Sequence, residues 1–135
     1  MRFTCDDFKF WDTGSHLSVI GYMGDYRDIE IPSHVNGRPV TVISEGAFNR
    51  KELNSVYIPD TVSVIGVSAF QHSNLFKVNI PDSVTEIKDS AFRDNNLTEV
   101  DIGCNVFRIR DNAFLNNNLT SIVIPDSNSD RRKFF

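Results

Sequence analysis

Residues 75–92 read LFKVNIPDSVTEIKDSAF, and this stretch decides the architecture because the chain repeats it. Its recurring positions follow the pattern Leu-x-x-Val-x-Ile-Pro-x-x-Val-x-x-Ile-x-x-x-Ala-Phe. The same eight positions return at 53–70 and at 97–114, where Gly103 stands in place of proline, and they begin again at Leu119. Each step is 22 residues. A fixed period of this length indicates a solenoid, in which stacked units share one continuous core.

Each unit contains signals for two extended pieces and a turn. The Val-x-Ile segment, as in Glu99-Val100-Asp101-Ile102, has the alternation of a half-buried β-strand. The following proline lacks a backbone donor and ends the strand. Val84-x-x-Ile87 predicts a second short extended piece, and Asp89-Ser90-Ala91-Phe92 predicts one helical turn, with Asp89 and Asp111 at N-cap positions. The predicted fold class is therefore a mainly β solenoid.

An earlier copy of the unit is stretched. The segment 29–32 matches the strand, and Val40, Ile43 and Ala47-Phe48 match the rest of the unit, with five extra residues between them. This insertion contains Asn36-Gly37, a turn pair in which both residues tolerate positive φ. We therefore expect the first coil to carry a small loop that the later coils lack.

Positions that recur inside the coils predict how the coils stack. One phenylalanine per coil is expected to join an interior column of core side chains. These residues are Phe48, Phe70, Phe92 and Phe114. Asn95 and Asn117 stand three residues after the phenylalanine, where side chains can form ladders that satisfy buried turn carbonyls and amides. Ser73 and Lys51 occupy this place in the earlier coils and are expected to break the ladder.

Composition and charge argue against several functional classes. The chain has 135 residues, of which 24% are charged and 40% hydrophobic, as in an ordinary single globular domain. Its net charge of −4 argues against nucleic acid as a partner, and its one basic cluster, Arg131-Arg132-Lys133, lies in a polar tail. The apolar runs are too short to span a bilayer. Two cysteines and three histidines lack zinc-site spacing, so no metal and no cofactor are expected.

The repeated pattern resembles the BspA-like, or Treponema-type, leucine-rich-repeat family over about residues 26–126. The segments Phe8-Lys9-Phe10-Trp11 and 17–22 are similar to the strand pair that often caps such domains. The resemblance implies a curved leucine-rich-repeat solenoid with a parallel sheet on its inner face. We expect one structural domain with an N-terminal β-hairpin cap over 1–25, the solenoid over 26–126 and a polar tail over 127–135.

The resemblance also carries expectations about where the protein works. Many members of this family are bacterial surface proteins that bind proteins of host or neighbouring cells, which implies adhesion at the cell surface or after secretion. The first residues have neither a basic start nor an apolar signal core, so a cytoplasmic location is the alternative.

The positions that alternate with the buried valines and isoleucines form the candidate protein-binding site. They are Asp28, Glu30, Ser55, Tyr57, Lys77, Asn79, Glu99, Asp101, Ser121 and Val123. A mixed polar stripe with one aromatic anchor suits protein recognition, and the alternative is a row of solvated strand residues. The predicted function is a non-catalytic protein-binding module that uses the concave strand face of the solenoid. A hydrolase that uses Glu99 and Asp101 is less favoured, because two positions apart on one strand they cannot flank a sugar bond without help from elsewhere.

The far end of the array offers a different surface. Leu119, Ile122 and Ile124 begin a coil that the polar tail does not complete. Repeat arrays need capped ends, so three interpretations remain: Phe134 and Phe135 fold back as a cap, two copies meet end to end as a homodimer, or the chain is a fragment of a longer surface adhesin array. A structural unit that stacks on copies of itself is therefore the alternative function.

Overall fold

The computed structural model describes residues 1–123, and within this range it contains thirteen β-strands and no helix. The strands are β1 (Arg2–Cys5), β2 (Phe8–Asp12), β3 (Leu17–Tyr22), β4 (Asp28–Glu30), β5 (His34–Val35), β6 (Arg38–Ile43), β7 (Ser55–Tyr57), β8 (Val64–Ile65), β9 (Lys77–Ile80), β10 (Glu86–Ile87), β11 (Glu99–Ile102), β12 (Arg108–Ile109) and β13 (Ser121–Val123). None of the described residues belongs to a helix with the length and hydropathy to cross a membrane.

The strands form two sheets on either side of a shared core. The Val-x-Ile strands make a parallel sheet in the order β13-β11-β9-β7-β4, called here the repeat sheet. The second extended pieces of the coils make another parallel ladder, β6-β8-β10-β12, which continues through β3 to the antiparallel strands β2 and β1. We call this the second sheet. The structure therefore confirms the predicted mainly β solenoid and adds a second sheet, in which β8, β10 and β12 have only two residues each.

The stretched first coil is accommodated in a hairpin. Asp28 pairs with Ser55 in the repeat sheet, and these residues are 27 positions apart instead of 22. The surplus residues form the antiparallel pair β5–β6, whose turn is Asn36-Gly37 with φ of 52° and 77°. Positive φ at both central positions is what a two-residue hairpin turn of type I′ requires. The loop predicted at this insertion is confirmed.

The helical turn predicted before each phenylalanine is wrong. The Phe48 amide donates to a carbonyl of the next coil at 2.7 Å, whereas the preceding Ala47 amide donates back to Ser44 at 3.1 Å. Alternate amides thus bond between coils, which an α-helix does not allow because all of its amides bond four residues back. Asp89 and Asp111 therefore cap no helix.

Left-handed backbone at two positions of each turn makes this arrangement possible. The first position has φ between 55° and 65°, and the second between 54° and 60°. The first is Gly46, Ser68, Ser90 or Asn112, and the second is Arg50, His72, Asp94 or Asn116. A side chain in this region costs about 1–2 kcal/mol relative to ordinary φ. Of these eight residues, only Gly46 lacks a side chain and therefore adopts the left-handed conformation without this cost.

Changing Ser90 to Gly is expected to raise the free energy of unfolding by roughly 0.5 kcal/mol. The change removes the left-handed strain, and the greater freedom of glycine in the unfolded chain cancels only part of the gain. Ser44→Gly is the matched control, because φ at Ser44 is negative and the same change there should be destabilising. Urea unfolding curves of the two variants would decide between this account and one in which the turn is unstrained.

The phenylalanine column runs through the core as predicted. The rings of Phe48, Phe70, Phe92 and Phe114 are almost parallel, with interplanar angles of 2–6°. Their successive centroid distances are 5.0, 5.1 and 5.4 Å. All four side chains are buried. Each coil therefore contributes one ring to a stack that fixes the spacing of its neighbours.

The asparagine ladder beside this column is present and longer than predicted. Asn95 donates from its amide to the carbonyls of Phe70 and Phe92, at 2.8 and 2.9 Å, and accepts from the amides of Ser73 and Leu75, both at 3.0 Å. The prediction that Ser73 breaks the ladder is wrong. The Ser73 hydroxyl donates to the carbonyl oxygen of Phe48, as the Asn95 amide does to the carbonyl oxygen of Phe70, so the bonds to the phenylalanine carbonyls continue into the first coil.

The N-terminal strands close one end of the aromatic column. β1 and β2 are joined by a two-residue turn, Asp6-Asp7, in which φ is 48° and 68°. Phe8 and Tyr22 bring their rings to 6.3 Å from the ring of Phe48. The predicted strand pair is therefore part of a three-stranded antiparallel unit that covers the apolar end of the first coil.

Candidate protein-binding face

The candidate residues from Asp28 to Ser121 lie on the solvent side of the repeat sheet in two rows, and the backbone of Val123 pairs in line with the second row. Because successive strands pair 22 residues apart, each outward position stands opposite its counterpart in the next coil. One row is Asp28, Ser55, Lys77, Glu99 and Ser121, and the other is Glu30, Tyr57, Asn79, Asp101 and Val123. We call this surface the strand face. Between the rows, the residues at the alternate positions point into the core, as in Val56, Val78 and Val100.

Tyr57 is the largest side chain that the strand face presents. It is 57% exposed although its strand neighbour Val56 is buried, so the ring stands out from a rigid backbone. It lies opposite Glu30 across the β4–β7 pair. An aromatic ring held in this way loses little conformational entropy on binding, which is why tyrosine is frequent among interface anchors.

Charge on the strand face is mostly negative. Ser55 donates from its hydroxyl to Asp28 at 2.7 Å, and the Lys77 ammonium lies 3.6 Å from the Glu99 carboxylate. Both members of the latter pair are well exposed, so the pair contributes little stability and can exchange partners at low cost. One ammonium among four carboxylates makes the face complementary to a partner that carries basic side chains.

A feature that sequence reasoning missed extends this face beyond the first coil. The Asp6-Asp7 turn lies beside Asp28 and Glu30 around a hollow of about 260 Å³. Tyr26, which is 74% exposed, also lines the hollow. The sequence signal was the Asp-Asp pair between two alternating apolar runs, but only the β1–β2 pairing shows which coil the turn approaches.

At the other side of the face, a second hollow of about 500 Å³ lies between the turns of two coils. Gly103 is needed there, because a Cβ at this position would lie 2.5 Å from the Pro81 carbonyl oxygen. This close approach explains why glycine replaces the proline of the other units. The Cys104 amide then donates to the Asp82 carboxylate at 2.9 Å.

The groups around Gly103 are poorly suited to nucleophilic catalysis. The backbone amide of Cys104 lowers the pKa of Asp82, and the hydrogen bond from the Cys104 thiol to Asp82 raises the pKa of that thiol. A raised thiol pKa leaves less thiolate, which is the reactive form. Across residues 1–123, no three His, Cys, Asp or Glu side chains lie close enough to hold a metal ion.

The surface predicted for an end-to-end homodimer is only partly described. Leu119 is half-buried against the core, and Ile122 pairs with Val100 through β13. Ile124, Phe134 and Phe135 lie outside the described residues, as does the tail over 127–135. The homodimer through Leu119, Ile122 and Ile124 therefore stays a prediction.

A family comparison agrees with this geometry. The model of the BspA type leucine-rich-repeat region matches residues 22–134 in six copies. The chain belongs to this family. It has no match among curated protein sequences.

Several solved structures have a fold similar to that of this chain. A leucine-rich-repeat protein from Bacteroides capillosus is 28% identical with a TM-score of 0.79, covering 90% of this chain and 96% of that one. The T. pallidum leucine-rich-repeat protein TpLRR is 20% identical with a TM-score of 0.71, covering 93% and 72%. The pneumococcal vaccine antigen PcpA is 14% identical with a TM-score of 0.51, and its match covers 95% of this chain and 51% of that antigen.

Proposed function

We propose that this BspA-type chain is a non-catalytic protein-binding module and that its partner docks on the strand face. The observation that carries the proposal is the exposed Tyr57 ring on a hydrogen-bonded sheet among charged and polar side chains. Protein interfaces have this composition, with an aromatic anchor inside a polar rim. Family membership supports a role in protein interaction or as a structural module. The composition of the strand face favours a role in protein interaction.

The charge of the strand face indicates the kind of partner. Asp28, Glu30, Glu99 and Asp101 are all exposed, and the ammonium of Lys77 is the cation that the face offers among its ten positions. A partner with lysine or arginine side chains would be attracted from a distance and held in register by these carboxylates. Association should therefore weaken as the salt concentration rises.

A hydrolase that uses Glu99 and Asp101 is disfavoured by the same geometry. Both side chains are exposed on one strand of the repeat sheet. Enzymes enclose their substrates in concave pockets, where water is excluded and carboxyl groups are desolvated. A self-stacking structural unit remains the alternative, because β13 is an edge of the repeat sheet within the described residues.

The proposal predicts that Tyr57→Ala together with Glu99→Ala weakens partner binding about 30-fold or more without unfolding the chain. A partner protein would first be captured on the immobilised chain, purified and titrated by calorimetry against the soluble variants. Both substituted side chains are exposed, so the folded core should be unaffected.

The matched control is Phe107→Ala with Glu45→Ala. Phe107 is 54% exposed, an exposed fraction similar to the 57% of Tyr57. Both control residues lie off the strand face. The control should bind like the unmodified chain. If the partner instead binds the Tyr57 and Glu99 variant unchanged, it does not use the strand face, and the proposal is wrong.

A further inference from the structure

The solvent side of the second sheet carries apolar side chains that do not belong to the buried core. Residues stand opposite one another across six strand pairs on this side. In order they are Arg2, Trp11, Ser18, Val42, Val64, Glu86 and Arg108. Trp11 is 45% exposed, and Val42 and Val64 are half-buried. We call the N-terminal half of this surface, around Trp11, the tryptophan face.

A bulge adds one more apolar side chain to the tryptophan face. Phe10 pairs with Val19 and Lys9 pairs with Gly21, so Ile20 is the extra residue between them. Ile20 is partly exposed instead of joining the core. Bulges commonly redirect a side chain in this way, and they add twist to the strand. The result is a patch in which an aromatic ring and a branched aliphatic chain stand side by side.

Two cations border this patch. Arg2 lies directly opposite Trp11 across the β1–β2 pair. The Lys9 stem lies over Gly21, where a Cβ would come within 3.5 Å of it. Among residues 1–123, neither cation forms an ion pair, and the carboxylate next along the strand, Asp12, is occupied by Arg38. The tryptophan face is therefore locally positive on a chain whose net charge is −4.

These groups surround a shallow hollow of about 450 Å³. It is lined by Arg2, Lys9, Trp11, Ser18, Ile20 and Ser44. The hollow opens broadly on the sheet surface, so it cannot enclose a small molecule as ligand pockets do. It suits a protein segment that lays an apolar side chain on Trp11 and Ile20 while placing carboxylates against Arg2 and Lys9.

We propose that the tryptophan face is a second docking surface, which takes a protein segment with acidic side chains next to aromatic or aliphatic ones. Charge complementarity carries the choice of partner. Two cations beside an apolar patch match such a segment, whereas a nucleic acid backbone calls for a longer track of basic residues. The strand face has the opposite charge, so the two faces select different partners.

The chain contains one tryptophan, so its fluorescence reports directly on this surface. The probe is a synthetic peptide, acetyl-Glu-Phe-Glu-Phe-Glu-amide, compared with versions that carry Gln or Lys in place of Glu. Binding of the acidic peptide should shift the Trp11 emission to shorter wavelength in a saturable way. The Gln and Lys peptides should bind about tenfold more weakly or not at all, and added salt should reverse the shift.

Charge-reversal variants supply the controls. Arg2→Glu with Lys9→Glu should abolish the shift, and Arg2→Gln with Lys9→Gln should weaken it, with thermal unfolding used to verify that both variants fold. Arg27→Glu with Arg50→Glu changes the net charge equally outside the second sheet, and binding should persist. No shift with up to about 1 mM acidic peptide, an equal shift with all three peptides, or a shift with single-stranded DNA alone would overturn the proposal.

Discussion

Replacing Phe92 with Ala is expected to lower the free energy of unfolding by about 3–5 kcal/mol. The side chain is fully buried, and its ring stacks between those of Phe70 and Phe114 at 5.1 and 5.4 Å. The change removes a whole ring from the middle of the column and leaves a cavity that rigid neighbouring coils cannot close. Domains of this size are stable by only about 5–15 kcal/mol, so the loss is a large share.

The effect should also reach beyond one coil. Each coil of a solenoid contacts only its neighbours, so a weak interface in the middle divides the array into two parts. Urea unfolding of the Phe92 variant, followed by circular dichroism, should therefore show a broader transition as well as a lower midpoint.

Two controls separate packing from other causes. Phe92→Leu keeps part of the buried volume and should cost less than half as much. Phe107→Ala removes a ring that is mostly exposed and should change stability by less than about 0.5 kcal/mol. If Phe92→Ala cost less than about 1 kcal/mol, the stacked column would not be the core of this protein.

Asn95→Ala is expected to lower the free energy of unfolding by a similar amount, about 3–5 kcal/mol, because hydrogen bonds are lost instead of packing. The side chain is buried and serves two carbonyl oxygens and two backbone amides. Alanine would leave three of these groups without this partner in a region that excludes water, namely the Phe70 carbonyl and the two backbone amides. The Phe92 carbonyl still accepts from the side-chain amide of Asn117 at 2.9 Å. Each buried polar group that loses its partner costs about 1–3 kcal/mol, and relaxation of the turn recovers part of the total.

The neighbouring asparagine is the matched control for this prediction. Asn96 is exposed and donates one side-chain hydrogen bond, to Asn74, so Asn96→Ala should cost less than about 1 kcal/mol. Thermal unfolding of both variants would measure the difference. Equal melting temperatures for the two variants would contradict the role assigned to Asn95.

Those structural features that repeat every 22 residues could be predicted from the sequence. The column from Phe48 to Phe114 and the register of the repeat sheet follow from the period, because equal spacing places equal residues side by side. Asn95 could be assigned to a ladder for the same reason. The outward positions of the strand face were located by their alternation with buried valine and isoleucine, although their binding role remains a proposal.

Local backbone geometry was harder to predict. Three of the eight left-handed positions carry Gly or Asn, which usually signal positive φ, but the others include Arg50, Ser68 and Ser90, which do not. The turn therefore looked like the start of a helix. Val64–Ile65 and Glu86–Ile87 are too short to show an alternating pattern, so the second sheet emerges only from their pairing.

The sequence predicted that the N-terminal strands cap the solenoid, but not which residues of the coils they contact. The nearness of Asp6-Asp7 to Asp28 depends on which edge the hairpin pairs with, and no repeat specifies this edge. The tryptophan face depends in addition on the bulge at Ile20, a single extra residue without a distinctive signal. Both features arise from pairing between distant segments.

The most direct test of the proposed binding function is an NMR footprint of a purified partner on the isotope-labelled chain. The account predicts that the largest amide shifts fall along β4, β7, β9, β11 and β13, with Tyr57 and Asp101 among the most affected residues. These strands form one continuous surface, so the perturbed residues should be contiguous. A footprint confined to the second sheet or to the turns, with the repeat sheet unperturbed, would contradict the claim that the strand face binds the partner.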